Sequence, residues 1–378
     1  MQPLYLDYNA TTPLDPRVFE AMKEWYLGPP GNAGSRTHVY GQRAKDAVET
    51  ARKQVADVIG AKAEEIFFTS GATESNNLAI LGLTAYGERS GRKHIISTAI
   101  EHKAVLEPLA EMQRRGFEVE LAPVTSGGYV EPDSIRDRLR RDTLLVSVMH
   151  ANNETGVVQP VHEIAKLIAG SETYFHTDGA QTFGKDVDEL RSLPCDFISI
   201  SAHKIHGPQG IGALYVRRRG GTPRSLDPLV HGGGQERGLR PGTLPIALAI
   251  GLGEAAKLAA AEHAQRRQWA SAVKQRLLSD LQAVEHYING TPSRCQAHVL
   301  NVSFPGVDSE ALMMAVRGIV AMSNGSACTS ASYSPSHVLT SMGLGEQLLS
   351  SAVRISWGPR VGEIPVAQII AAIRVLRS

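Results

Sequence analysis

Asp196-Phe197-Ile198-Ser199-Ile200-Ser201-Ala202-His203-Lys204-Ile205-His206-Gly207-Pro208 is the stretch that decides the fold. It reads as a strand over 197–201 that runs straight into a turn bounded by Gly207 and Pro208, with Lys204 in the turn. A lysine bathed in water is a poor nucleophile, whereas one on a tight turn at the mouth of a sheet is desolvated and reactive. Taken singly, the same residues also fit a solvated turn lysine between two polar histidines. Upstream, strands at 65–69, 94–97, 119–123, 144–150 and 174–178 alternate with helical segments at 77–83, 105–113, 132–139 and 161–169. Strands separated by crossover helices predict a mainly parallel sheet covered on both faces. Ala44, Val48, Ala51, Val55 and Val58 advance by four and three residues and give one apolar helix face. Downstream, Gly-rich turns at 207–212 and 232–234 surround a strand at 213–216, and helix formers fill 247–281. The tail alternates again: strand 299–304, helix 309–316, strand 352–356 and a last helix from Pro365. The expected fold class is α/β, with a large domain over 15–258 and a smaller α+β domain made of 1–14 and 259–378.

Composition narrows the function. The 378 residues carry 39 Lys+Arg against 38 Asp+Glu, so no broad field is available for a polyanion, and direct nucleic-acid binding is not expected. The basic clusters 136–141 and 217–219 read as solvated surface. Three cysteines, Cys195, Cys295 and Cys328, are too few and too scattered for a disulfide framework or a metal site. The start lacks the flanks of a signal peptide, and no apolar run is long enough to span a membrane. A soluble cytoplasmic protein is expected.

Two further constellations stand near the lysine. Ser70-Gly71-Ala72-Thr73 lies where a strand enters a helix, so free backbone N–H groups and the Thr73 hydroxyl could hold a phosphate; an ordinary N-cap is the alternative. Neither GxGxxG nor a Walker motif occurs, which argues against dinucleotides and nucleoside triphosphates. Asp178 ends a strand, where open α/β sheets place ligands. Together, a phosphate cradle, an acid for a pyridinium nitrogen and a reactive lysine are the parts that pyridoxal phosphate chemistry requires.

Ser201-Ala202-His203-Lys204 with Gly207-Pro208-Gln209-Gly210 resembles the lysine signature of class V aminotransferases, which are fold type I pyridoxal phosphate enzymes. Asp7-Tyr8-Asn9-Ala10-Thr11-Thr12-Pro13, 69–76, Glu101-His102, Asn152-Asn153-Glu154-Thr155-Gly156 and Arg240-Pro241-Gly242-Thr243 are similar to the NifS/IscS cysteine desulfurases. That resemblance implies covalent attachment of the coenzyme at Lys204, a ring-nitrogen partner in Asp178, stacking by His102 and a hydrogen bond from Gln181 to the phenolic oxygen. It implies a phosphate site of Ala72, Thr73, Ser201 and His203, completed by Thr243 from a second subunit of a homodimer. Arg354, beside Asn153, matches the family's carboxylate arginine, although alone it also reads as a surface strand charge.

Cys328 sits in Ser323-Asn324-Gly325-Ser326-Ala327-Cys328-Thr329-Ser330, a small and polar run that suits a mobile thiol and resembles the family's catalytic-cysteine loop. An ordinary thiol is mostly protonated at neutral pH, and His102 is the expected base. Cys195 and Cys295 read as a buried strand neighbour and a surface turn. L-cysteine is the implied substrate, with L-alanine and a Cys328 persulfide as products. Alternatives are selenocysteine lyase, an aminotransferase or a non-catalytic assembly scaffold. His231-Gly232-Gly233-Gly234-Gln235-Glu236-Arg237 and 101–108 resemble the DndA desulfurases of DNA phosphorothioation; iron–sulfur cluster assembly is the competing destination for the sulfur, in either case through acceptor proteins.

Overall fold

The computed structural model describes residues 2–218, 225–324, 335–359 and 361–377. Along the chain the strands are β1 (Leu4–Tyr5), β2 (Ile66–Thr69), β3 (His94–Thr98), β4 (Glu118–Ala122), β5 (Thr143–Ser147), β6 (Tyr174–Asp178), β7 (Phe197–Ser201), β8 (Gly212–Val216), β9 (Tyr287–Ile288), β10 (Val299–Ser303), β11 (Val320–Ala321) and β12 (Ala352–Ser356). Seven of them form one sheet in the order β2-β8-β7-β6-β5-β3-β4. β4, β3, β5, β6 and β7 run parallel, and β8 lies antiparallel to both its neighbours, β7 and β2.

Side chains alternate across a strand, so consecutive residues reach opposite faces. Phe68, Ile96, Val146, Phe175 and Ile198 join one apolar core, and their predecessors Phe67, Ile95, Leu145, Tyr174 and Phe197 join the other. Helices cover both faces, which is why these strands read as continuous apolar runs. The expected mainly parallel sheet is present, and the parallel direction puts the carboxyl ends of β6 and β7 side by side at one edge.

A third core is built on the antiparallel sheet β12-β10-β9 and on β1 paired parallel with β11. Leu6, Leu300, Val302, Phe304, Ile355, Trp357 and Ile369 fill it. The helix Ile246–Leu281 spans 36 residues and serves two of the three: Ala249, Leu252, Ala255, Ala256 and Ala259 pack with Phe68 in the first, and Ala270, Leu277 and Leu281 in the third. The expected boundary at 259 therefore falls within an unbroken helix. Two helices absent from the sequence expectation lie on opposite faces of the sheet, Pro16–Leu27 on the side of Phe68 and Thr84–Ser90 on the side of Phe67, and the helix expected from 77 begins at Ala72. No described helix is long and apolar enough to cross a membrane.

Candidate active site

Lys204 closes a single 3-10 turn, Ala202–Lys204, directly after β7. Its Nζ donates to the carbonyls of Asn9 at 2.5 Å and Ala10 at 2.7 Å, so the N-terminal segment lies across the mouth of the sheet. One strand over, Asp178 ends β6 and is buried. Asn76 Nδ2 donates to one of its oxygens at 2.7 Å and the Ala180 N–H to the other at 2.9 Å. Both bonds fix the carboxylate's direction.

Helix Ala72–Leu81 starts at Gly71 without any side-chain cap, so its first-turn N–H groups have no partner supplied by a cap. The Gly71 backbone passes so close to β8 that a Cβ on Gly212 would lie 2.6 Å from Gly71 Cα. This approach presses the turn at Ala72 and Thr73 against Ser201, whose Oγ would be 3.8 Å from a Cβ on Gly71. His203 stands beside it with Nδ1 3.0 Å from Thr11 Oγ1; burial first, and then the nearby Lys204, hold its pKa down to about 4. A neutral imidazole can face a phosphate only as a hydrogen-bonding group.

His102 caps the helix Lys103–Arg114, and its Nδ1 accepts the Ala104 N–H at 3.0 Å. Burial lowers its pKa, with the Asp178 charge opposing and Lys204 assisting. A neutral imidazole has one acceptor nitrogen, and here the helix takes it. Nε2 therefore carries the proton and presents a donor, which differs from the base expected for Cys328: accepting the thiol proton would require Nδ1 to give up its cap. The preceding Glu101 is fully buried, receives Thr98 Oγ1 and the Met149 N–H, and is pushed up by burial to about 8.

Arg354 in β12 is 2% exposed, so the surface-charge alternative fails. Its Nη1 donates to Asn153 O at 3.0 Å and Nη2 to Asp7 Oδ1 at 2.6 Å, and its Nε is buried without a partner. The backbone of the same residue pairs with Ser323, accepting its N–H at 3.2 Å and donating at 2.5 Å. Cys328 lies outside the described residues. Beyond it, Ser336 Oγ donates to the buried Glu154 at 2.5 Å, and His337 Nε2 is 2.9 Å from Glu101 O. Thr243 is exposed ahead of the long helix and makes no hydrogen bond to the other candidates among the described residues.

Sequence reasoning left Asn9 without a role, yet it joins the site's parts. Its carbonyl accepts from Lys204 and from Gln181 Nε2 at 3.0 Å, its Nδ2 donates to Asn153 O at 3.1 Å, and its N–H donates to Ser356 Oγ. The motif around it was visible; a hub role was not, because the partners come from four separate stretches of chain. Cys195 is buried as expected, and burial raises its thiol pKa. Cys295 is no simple surface turn: it is half-buried and its thiol donates to Thr155 O at 3.5 Å.

A bound pyridoxal phosphate fits these residues. Gln181 Oε1, Asn9 Oδ1 and Asn76 Oδ1 are buried without partners around the space between Asp178 and Lys204, and buried orphans of this kind ask for a polar occupant. An uncapped helix start facing Ser201 and His203 suits a phosphate, and Asp178 suits a ring N–H.

Comparison with known proteins agrees with the geometry. The family model described as Aminotransferase class-V matches residues 4–363. Cysteine desulfurase IscS of Vibrio cholerae is 46% identical over 377 residues, covering 99% of this chain and 92% of the relative. Among solved structures, a NifS-like protein covers 100% of this chain and 98% of its own at TM-score 0.89 and 36% identity. DndA from Streptomyces lividans covers 93% and 98% at TM-score 0.82 and 49% identity. A lysine, a carboxylate and an anion cradle converging at one sheet edge, on a chain this similar to desulfurases along nearly its whole length, have one common explanation: the chain belongs to the class V aminotransferase family, as a pyridoxal phosphate-dependent cysteine desulfurase.

Proposed function

We propose that the chain moves the sulfur of L-cysteine onto Cys328 and passes it to acceptor proteins, releasing L-alanine. One observation supports this assignment: Arg354, the expected carboxylate ligand, is buried in β12, and its backbone pairs with Ser323, the residue that opens the sequence run containing Cys328. A substrate held by its carboxylate there would lie beside the start of that run.

Each residue then has a task. Arg354, with Asn153 beside it, binds the substrate carboxylate by a charge-assisted pair. When bound, pyridoxal phosphate supplies an electron sink for the carbon that bears the amine. Ala72, Thr73, Ser201 and His203 hold its phosphate, His102 and Gln181 its ring and phenolic oxygen, and Asp178 keeps the ring nitrogen protonated. Lys204 Nζ, released from the Asn9 and Ala10 carbonyls, takes the Cα proton. The Cys328 thiolate attacks the substrate sulfur: an S–S bond forms, the C–S bond breaks, its electron pair stays with carbon, one proton joins the carbon that lost sulfur, and Lys204 returns its proton to Cα to complete alanine. His102 Nε2–H donates toward that sulfur rather than removing the thiol proton. The thiol must be reduced, which suits the cytoplasm.

The test is simple. Purified protein given L-cysteine and a reductant yields equal sulfide and alanine, and Cys328→Ser keeps the visible absorbance of the bound coenzyme while sulfide release stops. A keto acid in place of alanine, or a fully active Cys328→Ser, would overturn the assignment.

For the destination of the sulfur we infer DNA phosphorothioation, supported by the 49% identity to DndA. Iron–sulfur assembly is the second reading, supported by the IscS relative. Deleting the gene and measuring phosphorothioate linkages beside iron–sulfur enzyme activity separates them. We also infer a homodimer: Thr243, the expected cross-subunit phosphate ligand, is exposed, and Tyr26, Leu27, Val39 and Val230 are large, apolar and more than half exposed. Sedimentation at twice the chain mass is the expected result, and a monomer active at all concentrations would refute it.

A further inference from the structure

A cavity of about 750 Å³ opens between the long helix Ile246–Leu281, the turn after β6 and the residues leading into β10. Pockets of about 300–1,000 Å³ are the usual size for small-molecule sites. Among the residues assigned to the reaction, only Lys204 touches it; His102, Asp178, Gln181 and Arg354 are not in its wall. It is therefore not the space in which coenzyme ring and substrate carboxylate meet.

The wall is cationic. Lys185, Lys204, Arg266, Arg267, Lys274 and Arg294 line it, against Glu163, Asp186 and Glu189. Two of those acids are already engaged. Asp186 accepts Gln296 Nε2 at 2.6 Å and is pushed towards its neutral form by burial, and Glu189 lies 3.3 Å from His150 Nε2. Arg266 pairs with Glu262 at 2.6 Å, whereas Lys185, Lys274 and Arg267 form no ion pair among the described residues. Lys185 Nζ has His298 Nε2 at 3.2 Å, a neutral ring whose own pKa burial depresses. Burial and Lys204 drive Lys185 down to about 7, with the neighbouring Asp186 opposing them only in part. Lys274 Nζ donates to Gln296 O at 2.9 Å and is likewise lowered by burial. Among the described residues the Arg267 guanidinium makes no hydrogen bond, and it lies seven residues before Lys274, on the same face of the helix.

We propose that this cavity is a binding site for a small, multiply charged anionic metabolite, its phosphate or carboxylate groups held by Lys185, Lys274 and Arg267. An anion of that kind supplies counter-charge to side chains contributed by two elements, the turn after β6 and the long helix. Trp269 and Trp357 also line the wall, so occupancy has an optical signal.

The experiment uses the coenzyme-loaded full chain, in which the cradle at Ala72 and Thr73 is already filled. Pyrophosphate and citrate are titrated separately at low ionic strength, by calorimetry and by tryptophan fluorescence, and comparing them distinguishes a phosphate from a carboxylate ligand. Saturable binding of one probe per chain is expected. It should weaken about tenfold in Lys185→Met, as for a lost charged hydrogen bond, with the coenzyme absorbance unchanged. Arg267→Gln, at an exposed position that leaves the fold intact, should weaken the same probe severalfold. No saturable binding of either probe overturns the proposal, and so does binding that Arg267→Gln and Lys185→Met both leave unaltered.

Discussion

At the scale of single residues, His102 and Arg354 do opposite things with buried polarity. The helix fixes the tautomer of His102 by spending its acceptor on Ala104, so what matters at Nε2 is an N–H. His102→Gln retains an amide donor and cannot act as a base at neutral pH; we expect it to keep clearly more turnover than His102→Ala, in steady-state assays with matched coenzyme content. Equal losses would restore the base role. Arg354 keeps one buried N–H unpartnered while two others hold Asn153 and Asp7. Arg354→Lys retains the charge but not the planar fork. Losing a charge-assisted hydrogen bond costs about 1.5–3 kcal/mol, so KM for cysteine should rise about 10- to 100-fold with coenzyme binding unchanged. Lys204 and Asp178 were legible in the sequence because strand ends and Gly-bounded turns announce them. The burial of Arg354 was not, since the carboxylate that allows it lies 347 residues away.

At the scale of elements, the motif around Glu236, read from sequence as a likeness to DndA, proves to be a clasp. Arg52, on the helix Val39–Val58, donates to both Glu236 oxygens at 2.7 and 2.6 Å, and the Phe68 N–H of β2 donates to the same carboxylate at 2.7 Å. Both side chains are buried, so removing one leaves the other charge stranded. Such losses run to about 3–5 kcal/mol, and Glu236→Ala should show that order of destabilisation in urea melts, with the clasp's neighbour β2 exchanging amide hydrogen fastest. The alternation that divides Phe67 from Phe68 between two cores was readable, since it needs only a period of two. The first helix was also signalled, by Asp15 capping it and Pro16 opening it, and went unused because its apolar face is short. The helix Ile246–Leu281 changes cores between Ala259 and Ala270, next to the boundary expected at 259; which core each half joins was not legible, since helix periodicity names no partner.

At the scale of the whole molecule, stability should be sensitive to acid. Burial holds His176, His203 and His206 at about 4, against about 6.5 in an unfolded chain. Between those values the unfolded state binds protons that the folded state refuses, so stability present above about pH 6.5 is lost as pH falls towards 4. Glu101, raised to about 8, acts in the opposite sense, losing stability as pH rises. The lowered rings, which also include His94, His102 and His298, outnumber the raised carboxyls Glu101, Glu154 and Asp186, so the melting temperature of the coenzyme-free chain should fall steadily from pH 6.5 to 4, and a flat profile there would contradict the burial of these rings. One more consequence follows from a long-range bond. Asp7 bonds Arg354, and Tyr8 and Asn9 bond Ser356, so the proposed grip on substrate joins two stretches that lie on opposite sides of the central sheet in sequence. A fragment cut anywhere between them can still shape that sheet, yet it parts the guanidinium from the carboxylate that orients it, and cleavage within any connecting loop should silence desulfuration before it unfolds the core.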